Sequence, residues 1–466
     1  MPSDHYDVLI VGAGVAGPSL AHALATKTIK KRATPLRIAL LERSLSKPDR
    51  IVAELLQPGG VESLEKLGIK SCLDKIGSIP SLGFNVLRGD QAICAPFPPG
   101  TKGRSFDHGA FVMALRDCAR EAPNVDVIEA TVTGLIEDQR SQRVVGVSAS
   151  QAGGQAESYH ADLVILADGS LSKFRNTLLA NSSFEATPQG YFAGLIVKGL
   201  TLPKARYATT VVLENAGPII LFELPNNEYR MMVELKNPPP ADLKEHILQN
   251  IIPQLPSSIR APILHAVETT RIRRVPHYYL PPSKQGSSTK PGAFLLGDAV
   301  NMRHPLTAGG MTVALHDVVL LSDLMMNIEN FGNWKEVSAV LGKWSNMRKP
   351  LASTINTMSM CWAGVFAGDS EAFTILQDGA FNHFGQHPEY VSELMSLAAG
   401  ITHDPGLLAQ YSLNMTYHAI LSLFTQPQAG QKSPPPIYEY PMLLLKALSV
   451  IWTVLMVFAP VMWAEK

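Results

Sequence analysis

The sequence has no net charge and few charged residues of either sign. Forty Lys and Arg residues balance forty Asp and Glu residues in a chain of 466, and charged side chains make up only 17% of it. Without a net positive field, nothing favours nucleic acid as a partner. Hydrophobic residues account for 46%, which is enough for a large core, and the length allows two to three domains.

Cysteine is also scarce. The four cysteines, at positions 72, 94, 118 and 361, form no CxxC pair and show no metal-ligand spacing. This pattern predicts free thiols that act as small buried side chains in a reducing compartment, and it predicts no metal site. A predicted strand begins by Tyr6, so we expect neither a signal peptide nor secretion.

One glycine-rich motif lies between a predicted strand and a predicted helix. The apolar run Val8 to Val11 is typical of a buried parallel strand, and Gly12-Ala-Gly-Val-Ala-Gly17 follows it. Gly12 permits a tight turn, Gly14 lets the backbone approach a pyrophosphate, and Gly17 lets the helix pack closely on the strand. The motif predicts a dinucleotide site, and a glycine-rich turn without a ligand is the alternative.

Acidic residues end three predicted strands. The strand from Leu36 to Leu41 ends at Glu42, where this motif has an acid that accepts hydrogen bonds from a ribose. Two later apolar strands end in Asp168-Gly169 and in Gly297-Asp298. An Asp-Gly pair alone usually marks a turn, but ligands bind at the carboxyl ends of the strands in such sheets. We therefore expect these acids near the ligand.

A Gly-Gly pair opens another predicted helix. Gly309 and Gly310 precede a helical pattern that extends to about Ile328, and bare N–H groups at a helix N-terminus suit a ligand with negative charge. His304, just before this helix, is a candidate base, although a histidine bonded within its turn is the favoured alternative. Arg50 is a candidate partner for a phosphate in a segment interpreted as site-lining, with an ordinary surface arginine as the alternative.

The organisation of the chain predicts an α/β fold. We expect a Rossmann-like dinucleotide-binding domain with an inserted antiparallel-sheet substrate domain, because strand runs separated by Pro, Asn and Gly follow one another from 189 to 235. A C-terminal helical membrane-associated region completes the fold. The predicted divisions are 1–183, 184–290, 291–330 (a return to the first domain), 331–440 and 441–466.

The last of these segments is apolar. No charged residue occurs from Ala447 to Ala464, and this run reaches the lower limit for a helix that spans a bilayer. Lys446 at one end and Trp463 to Lys466 at the other resemble interfacial anchors. The segment predicts a membrane-anchoring helix, whether spanning or lying in the interface, and a buried core helix is the alternative.

The motifs together resemble the squalene monooxygenase (squalene epoxidase) family, within the FAD-dependent aromatic-hydroxylase-like monooxygenases. The resemblance extends from Tyr6 to the apolar tail. It is sharpest in Pro-Asp-Arg-Ile-Val at 48–52, Glu-Leu-Leu-Gln-Pro-Gly-Gly at 54–60, Asn-Met-Arg-His-Pro-Leu-Thr at 301–307 and Gly-Gly-Met-Thr-Val-Ala-Leu at 309–315.

The resemblance implies a function. Members of this family use FAD, O₂ and electrons from NADPH, delivered by a cytochrome P450-type reductase, to convert squalene into (S)-2,3-epoxysqualene in sterol and triterpenoid biosynthesis. It also implies a location on the cytosolic face of the endoplasmic reticulum membrane. Three alternatives remain open: an epoxidase of another polyprenyl or terpenoid alkene, a non-catalytic prenyl-binding carrier, and an NAD(P)-dependent dehydrogenase, which fits the glycine turn but not the two later strand ends.

The resemblance also implies site residues. It places FAD contacts at Val15, Ala16, Glu42, Arg43, Arg50, Arg116, Val132, Asp298 and Met311, to which the motifs add Gly12, Gly14, Gly17, Asp168 and Gly310. Gln57 and Phe97 are candidate residues of the catalytic pocket, and no protein nucleophile is expected. The chain departs from the family at Phe97, where a tyrosine is usual, at Ala308, where a glycine is usual, and at His316, where an asparagine is usual, which leaves the exact alkene open.

Overall fold

A computed structural model of the chain describes residues 5–28, 34–151, 154, 156–179, 186–283, 285–286, 289–427 and 433–464, without the side chains of 458 and 460–464. Most of the polar insert between the first helix and the second strand lies outside these residues. So do Glu465 and Lys466 and the side chain of Trp463, which belong to the predicted interfacial anchor.

The strands are short to medium in length and are numbered in chain order. They are β1 His5–Val11, β2 Ile38–Glu42, β3 Leu55–Leu56, β4 Ile79–Ser81, β5 Gly83–Arg88, β6 Gln91–Pro96, β7 Gly103–Ser105, β8 Val125–Glu129, β9 Thr131–Glu137, β10 Val144–Ser150, β11 Ala156–Leu166, β12 Thr187–Lys198, β13 Tyr207–Val211, β14 Ile219–Leu224, β15 Glu228–Leu235, β16 Arg273–Tyr279 and β17 Ala293–Leu295.

The helices become longer toward the C-terminus. They are α1 Ala16–Thr28, α2 Pro58–Lys66, α3 Ser71–Lys75, α4 His108–Glu121, α5 Arg175–Leu178, α6 Leu243–His246, α7 Ser257–Thr269, α8 Gly310–Met325, α9 Trp334–Ala367, α10 Glu371–Gln386, α11 Pro388–Ala398, α12 Pro405–Thr425 and α13 Tyr440–Ala464.

The first sheet carries the glycine turn. Its order is β8-β2-β1-β11-β10-β9, with β17 paired to β11, and the central strands β2, β1, β11 and β17 run parallel. Val8 to Val11 are buried because α1, α4 and α8 cover one face of the sheet and a second apolar cluster covers the other. This arrangement explains the unbroken apolar runs of these strands and confirms the predicted Rossmann-like domain.

The second sheet is mainly antiparallel, with the order β16-β12-β15-β14-β13-β5-β6. It contains the strands predicted between 189 and 235, and it also takes β5 and β6 from residues 83–96, which pair through the parallel contact of β13 with β5. The sheet is therefore not confined to the segment 184–290. Helix α7 covers one face, whereas Phe222 and Met232 on the other face pack toward the first domain.

The C-terminal helices form the remainder of the described chain. Helix α13 packs against α9, α10 and α12. It buries Leu443, Ala447, Val450 and Val454 along one face, and Lys446 Nζ lies 2.7 Å from Glu371 Oε1. Its other face exposes large apolar side chains. Within the described residues, the segment 437–457 is the one candidate that is long and apolar enough to cross a membrane, by length and composition alone.

The four cysteines are free. Three of them are buried, and Cys94 is half-buried. Burial raises the pKa of Cys72 to about 12, so this thiol stays protonated at neutral pH. The prediction of small buried side chains therefore holds for three of the four.

Candidate active site

The glycine turn has the geometry that its three glycines predict. Gly12 has a positive φ of 103° and donates its N–H to Leu41 O at 2.7 Å, and a Cβ on Gly12 would overlap with the Ala167 carbonyl. A Cβ on Gly17 would overlap with the carbonyl oxygen of Gly12. At Gly14, by contrast, a Cβ would meet no atom within 4 Å. Two glycines are thus needed for packing, and the third keeps a surface clear beside the N-terminus of α1.

Glu42 and Arg116 support this turn. Glu42 Oε2 accepts a hydrogen bond from the Ala13 N–H at 2.7 Å, and Arg116 Nη2 lies 3.8 Å from the same oxygen. The buried Arg116 also donates to Ala13 O at 2.8 Å and to Ser46 O at 3.1 Å. Burial lowers the pKa of Arg116, and Glu42 opposes this effect. Arg116 therefore holds the glycine turn and the loop after β2 together.

Arg43 and Val132 lie near the same strand end. Arg43 is exposed directly after Glu42. Val132 is half-buried on β9, and the β8–β9 connection contacts β2 through the Ala130 N–H, which donates to Glu42 O at 2.9 Å. The structure thus brings Glu42, Arg43, Arg116 and Val132 to one edge of the sheet.

Asp168 and Asp298 end two neighbouring parallel strands, β11 and β17. Buried Arg175 links the two strand ends, because it donates to Ser170 O at 3.0 Å and to Ala299 O at 2.7 Å. Burial raises the pKa of Asp168, whose Oδ1 is buried without a hydrogen-bond partner among the described residues. An orphaned buried carboxylate oxygen at a strand end fits a polar ligand group.

The Asp298 side chain is accessible to solvent, although protein surrounds it. This combination is typical of an internal cleft. Enclosure by the protein raises the pKa of Asp298, while the positive charges of Arg303, Arg50 and Arg175 lower it. Arg50 is itself exposed. Its charge also helps to lower the pKa of His108, which burial brings to about 4. Arg50 is therefore near enough for its charge to act on both Asp298 and His108.

The N-terminus of α8 forms another wall. Ala308, where the resemblance implies a glycine, adopts a left-handed conformation with φ 51°. A Cβ on Gly309 would overlap with Ile355, whereas one on Gly310 would come no closer than 3.7 Å to Arg303. Gly310 and Met311 are both partly accessible. The Gly-Gly pair thus combines one packing glycine with one that leaves backbone open to the cleft.

Gln57 and Phe97 lie behind this wall. Gln57 is fully buried and donates from Nε2 to Thr307 O at 2.6 Å, but its Oε1 has no hydrogen-bond partner among the described residues. Phe97 is buried and packs edge-on against Phe84 in an apolar cluster that includes Leu306 and Ala308.

His304 is bonded within its turn, as the favoured alternative predicted. Its Nδ1 accepts from the Leu306 N–H at 3.3 Å, and its Nε2 lies 3.0 Å from Glu234 Oε1. Glu234, His277 and Arg230, which forms a buried ion pair with Glu54, were not singled out by the sequence. Their partners are distant along the chain, and no local motif marks them.

Comparisons with known proteins identify the family. The family model described as squalene epoxidase matches residues 160–434. The chain is 36% identical to squalene epoxidase erg1 of Aspergillus fumigatus, over 99% of this chain and 94% of that protein. It is 30% identical to squalene monooxygenase of Rattus norvegicus, over 96% of this chain and 76% of that protein. The chain belongs to the squalene epoxidase family.

Solved structures agree on the fold. The p-nitrophenol 4-monooxygenase PnpA from Pseudomonas putida superimposes with a TM-score of 0.68 at 15% identity, over 85% of this chain and 98% of that one. A variant of HpxO from Klebsiella pneumoniae, solved in complex with FAD, gives 0.61 at 17% identity, over 85% and 99%. Membership of the squalene epoxidase family confirms an FAD-dependent epoxidase, as the sequence predicted. The open side of Gly14, the orphaned Asp168 oxygen and the accessible Asp298 fit that cofactor.

Proposed function

We propose that this squalene epoxidase oxidises squalene taken from a membrane, and that a separate NADPH-dependent reductase of the cytochrome P450-reductase type supplies its electrons. The full-length similarity to squalene epoxidases supports squalene as the substrate. Bound FAD, once reduced, supplies the activation of O₂ and the transfer of one oxygen atom to an alkene. The chain itself has to bind FAD, exclude water and hold the alkene.

Different residues around the cleft are placed to bind different parts of FAD. Glu42 is placed to accept hydrogen bonds from the adenosine ribose, and the N-terminus of α1 with the bare backbone of Gly14 is placed to receive the pyrophosphate. Arg50 and Asp298 carry opposite charges that act on each other, and we propose that both contact the cofactor. The N–H groups of Gly310 and Met311 at the start of α8 suit a group that develops negative charge.

The alkene pocket lies between the second sheet and the C-terminal helices. Phe97, Phe222, Met232, Leu306 and Ala308 belong to one apolar cluster that also takes side chains from α9, α11 and α12. Such a wall excludes water and contacts a hydrocarbon without offering it a hydrogen bond. This composition suits squalene, which carries no polar group.

Membrane association is proposed from the exposed face of α13. Leu448, Trp452 and Leu455 lie on that face and are more than half exposed. Since the opposite face packs on the other helices over 443–454, we propose that α13 lies in the interface and does not span the bilayer. The cytosolic face of the endoplasmic reticulum is the proposed location.

An oxygenation assay tests the proposed function. Detergent-solubilised protein is incubated with FAD, NADPH, a cytochrome P450-type reductase and squalene, and products are read by mass spectrometry. We expect a product that is one oxygen atom heavier than squalene, and none when the reductase is left out. A yellow protein that oxidises other polyprenyl alkenes but not squalene would contradict the substrate. A colourless protein that copurifies with an isoprenoid would instead support a carrier.

A further inference from the structure

One face of β15 carries two charged residues that reach out of the second sheet. Arg230, Met232 and Glu234 share this face, whereas Met231 and Val233 point into the core beneath α7. Arg230 Nε donates to Glu54 Oε2 at 2.9 Å, with the glutamate 1% exposed. Glu54 Oε1 also accepts the His108 N–H at 3.1 Å. One end of this face therefore holds the segment that leads from Arg50 to Gln57.

The other end of the face holds the turn before α8. Glu234 Oε1 lies 3.0 Å from His304 Nε2. Since His304 Nδ1 accepts from the Leu306 N–H, the neutral ring carries its proton on Nε2 and donates it to Glu234. Glu234 thus fixes the orientation of a histidine that itself orders the 304–307 turn.

A third hydrogen bond joins the two held segments to each other. Gln57 Nε2 donates to the carbonyl oxygen of Thr307 at 2.6 Å. The contacts therefore form a closed ring from β15 to Glu54, along the chain to Gln57, across to Thr307, back to His304 and again to β15. In this ring, the rigid spacing of the strand sets the separation of Arg230 and Glu234 at roughly 13 Å, from four residues of extended chain.

We propose that Arg230 and Glu234 are positioning residues, through which the second sheet fixes the 50–57 segment and the 304–311 turn relative to each other. This inference rests on the proposed function, because both segments are assigned there to the FAD and alkene sites. Met232, between the two charged residues, packs in the same apolar cluster as Phe97 and Leu306. The strand that forms the alkene wall thereby also sets the two segments that contact FAD.

The ring uses charges that the fold cannot leave unpaired. Glu54 is buried, and its pKa is raised by that burial and lowered by Arg230. Removing one partner of a buried hydrogen-bonded charge leaves the other without compensation, which costs more than the pair gains. The effect of a substitution is therefore expected to reach the segment that the residue holds.

A metal ion is the competing explanation for the contact between Glu234 and His304. Glu234, His277 and His304 each offer a ligand atom within 4.8 Å of the others, and both ring nitrogens of buried His277 lack a hydrogen-bond partner among the described residues. However, a metal would need the Nε2 of His304, which carries a proton as long as its Nδ1 accepts from Leu306. The hydrogen-bonding pattern therefore favours a direct hydrogen bond from His304 to Glu234 over a metal site.

The test compares four variants of the full-length protein. Glu234→Ala removes the contact with His304, and Arg230→Met removes the ion pair with Glu54. Glu234→Gln retains an acceptor oxygen for His304, and Arg230→Lys retains the positive charge. Glu228→Ala is the matched control, since Glu228 lies on the same strand and pairs with the exposed Lys198 at 2.9 Å. The readouts are the FAD dissociation constant, the visible spectrum of the bound flavin, KM and kcat for squalene, and Tm.

We expect Glu234→Ala and Arg230→Met to weaken FAD binding about tenfold and to shift the flavin absorption band. Glu234→Gln and Glu228→Ala are expected to stay close to wild type, and rescue by the glutamine separates positioning from general destabilisation. Arg230→Lys is expected to raise the KM for squalene with little change in Tm. Arg230→Lys keeps the proposal testable if Glu234→Ala and Arg230→Met do not fold.

Three results would overturn the proposal. The first is Glu234→Ala and Arg230→Met proteins that bind FAD and give the same spectrum as Glu228→Ala. The second is an unchanged KM in Arg230→Lys together with normal FAD binding. The third is about one equivalent of zinc in the wild type that is lost in Glu234→Gln, which would establish a metal site. If squalene is not a substrate, the proposed function fails, but the FAD affinity and the flavin spectrum still test whether Arg230 and Glu234 are positioning residues.

Discussion

We propose that Asp298 contacts the cofactor and does not belong to the core. Its side chain is accessible within a protein-walled cleft, and three arginines act on its pKa from different segments. The sequence marked it only as the end of an apolar strand. The structure adds that no described core contact depends on its carboxylate, since its hydrogen bond to Arg175 runs through the backbone oxygen.

Replacing Asp298 with alanine is therefore expected to lower FAD occupancy and leave the fold intact. A lost hydrogen bond to an ionised group corresponds to about 1–3 kcal/mol of binding free energy. Flavin absorbance per mole of purified protein and Tm of the apoprotein measure the two effects. Asp90→Ala, an exposed aspartate in the β5–β6 turn, is the control. Full flavin content with normal turnover would contradict the assignment.

Asp168 leads to a prediction about pH. Burial raises its pKa in the folded protein, so its contribution to stability is full below the pKa of the unfolded state and is lost as pH rises through the folded pKa. Asp168→Asn removes this titration. We expect the apoprotein of the variant to have a higher Tm than wild type at pH 7, with a difference that shrinks toward pH 4. Scanning calorimetry across that range, with Asp90→Asn as the control, measures it, and a constant difference would refute it.

Individual residues also show where sequence reasoning ends. Glu42, Asp168 and Asp298 were predicted because each ends an apolar strand, a signal contained in a few neighbouring residues. Glu54 and Arg230 are 176 residues apart in the chain, and Glu234 and His304 are 70 apart. Arg230 and Glu234 look like ordinary charged residues of a strand, so only the packing of the second sheet on the first domain reveals their partners.

At the scale of elements, the turn between β1 and α1 separates packing from ligand approach. A Cβ at position 17 would overlap with the Gly12 carbonyl, but one at position 14 would meet nothing. Two identical substitutions a few residues apart should therefore have different consequences.

Gly17→Ala is expected to lower Tm and to yield little soluble protein, because the helix must move away from the strand. Gly14→Ala is expected to retain the Tm of the apoprotein and to weaken FAD binding, since its methyl group occupies the surface where the pyrophosphate approaches. Calorimetry and FAD titration of both variants make the comparison. Equal effects of the two substitutions on Tm would contradict it.

Helix α13 shows the same division between two faces. One face packs on α9, α10 and α12, and the other exposes apolar side chains that no described element covers. The sequence predicted an apolar helix but left open whether it spans a membrane or lies in the interface, because all of its faces are apolar. Packing decides which face is free.

Charging the free face is expected to release the protein from membranes. The triple variant Leu448→Lys, Trp452→Lys and Leu455→Lys keeps the packed face, and we expect it to bind FAD normally and to remain in the supernatant when membranes are pelleted. Truncation before Pro441 should act in the same direction. Met347→Lys, at an exposed methionine of α9, is the control. Unchanged pelleting of the triple variant would place the anchor elsewhere.

The whole molecule combines two large sheets of different architecture with a small third sheet formed by β3, β7 and β4. The first could be predicted in detail, because parallel strands buried on both faces leave continuous apolar runs and glycine punctuation. The second was predicted as antiparallel, yet its incorporation of β5 and β6 was not, since a strand's own sequence does not identify its neighbours. Strand β6 in turn contacts α10 and α11, so this incorporation joins the second sheet to the C-terminal helices.

Whether the protein takes electrons directly from NADPH depends on whether the chain has a second dinucleotide site. Among the described residues, only the first sheet has parallel central strands with a glycine turn, and we propose that this turn binds FAD. The sequence contains no second strand-turn-helix glycine fingerprint after Leu36. The part of the chain that the structure describes thus offers no second dinucleotide turn of this kind, and we propose a partner protein as the electron donor.

We accordingly expect NADPH alone, mixed anaerobically with the purified protein, to bleach the flavin very slowly, and a cytochrome P450-type reductase to accelerate bleaching strongly. Stopped-flow absorbance with and without the reductase measures both rates. Reductase mixed with free FAD is the control, because it separates reduction of bound flavin from reduction of flavin that has dissociated. Rapid stoichiometric bleaching by NADPH without the reductase would show that the chain accepts hydride directly, as single-component hydroxylases do, and that the cleft beside Arg50 and Asp298 admits a nicotinamide.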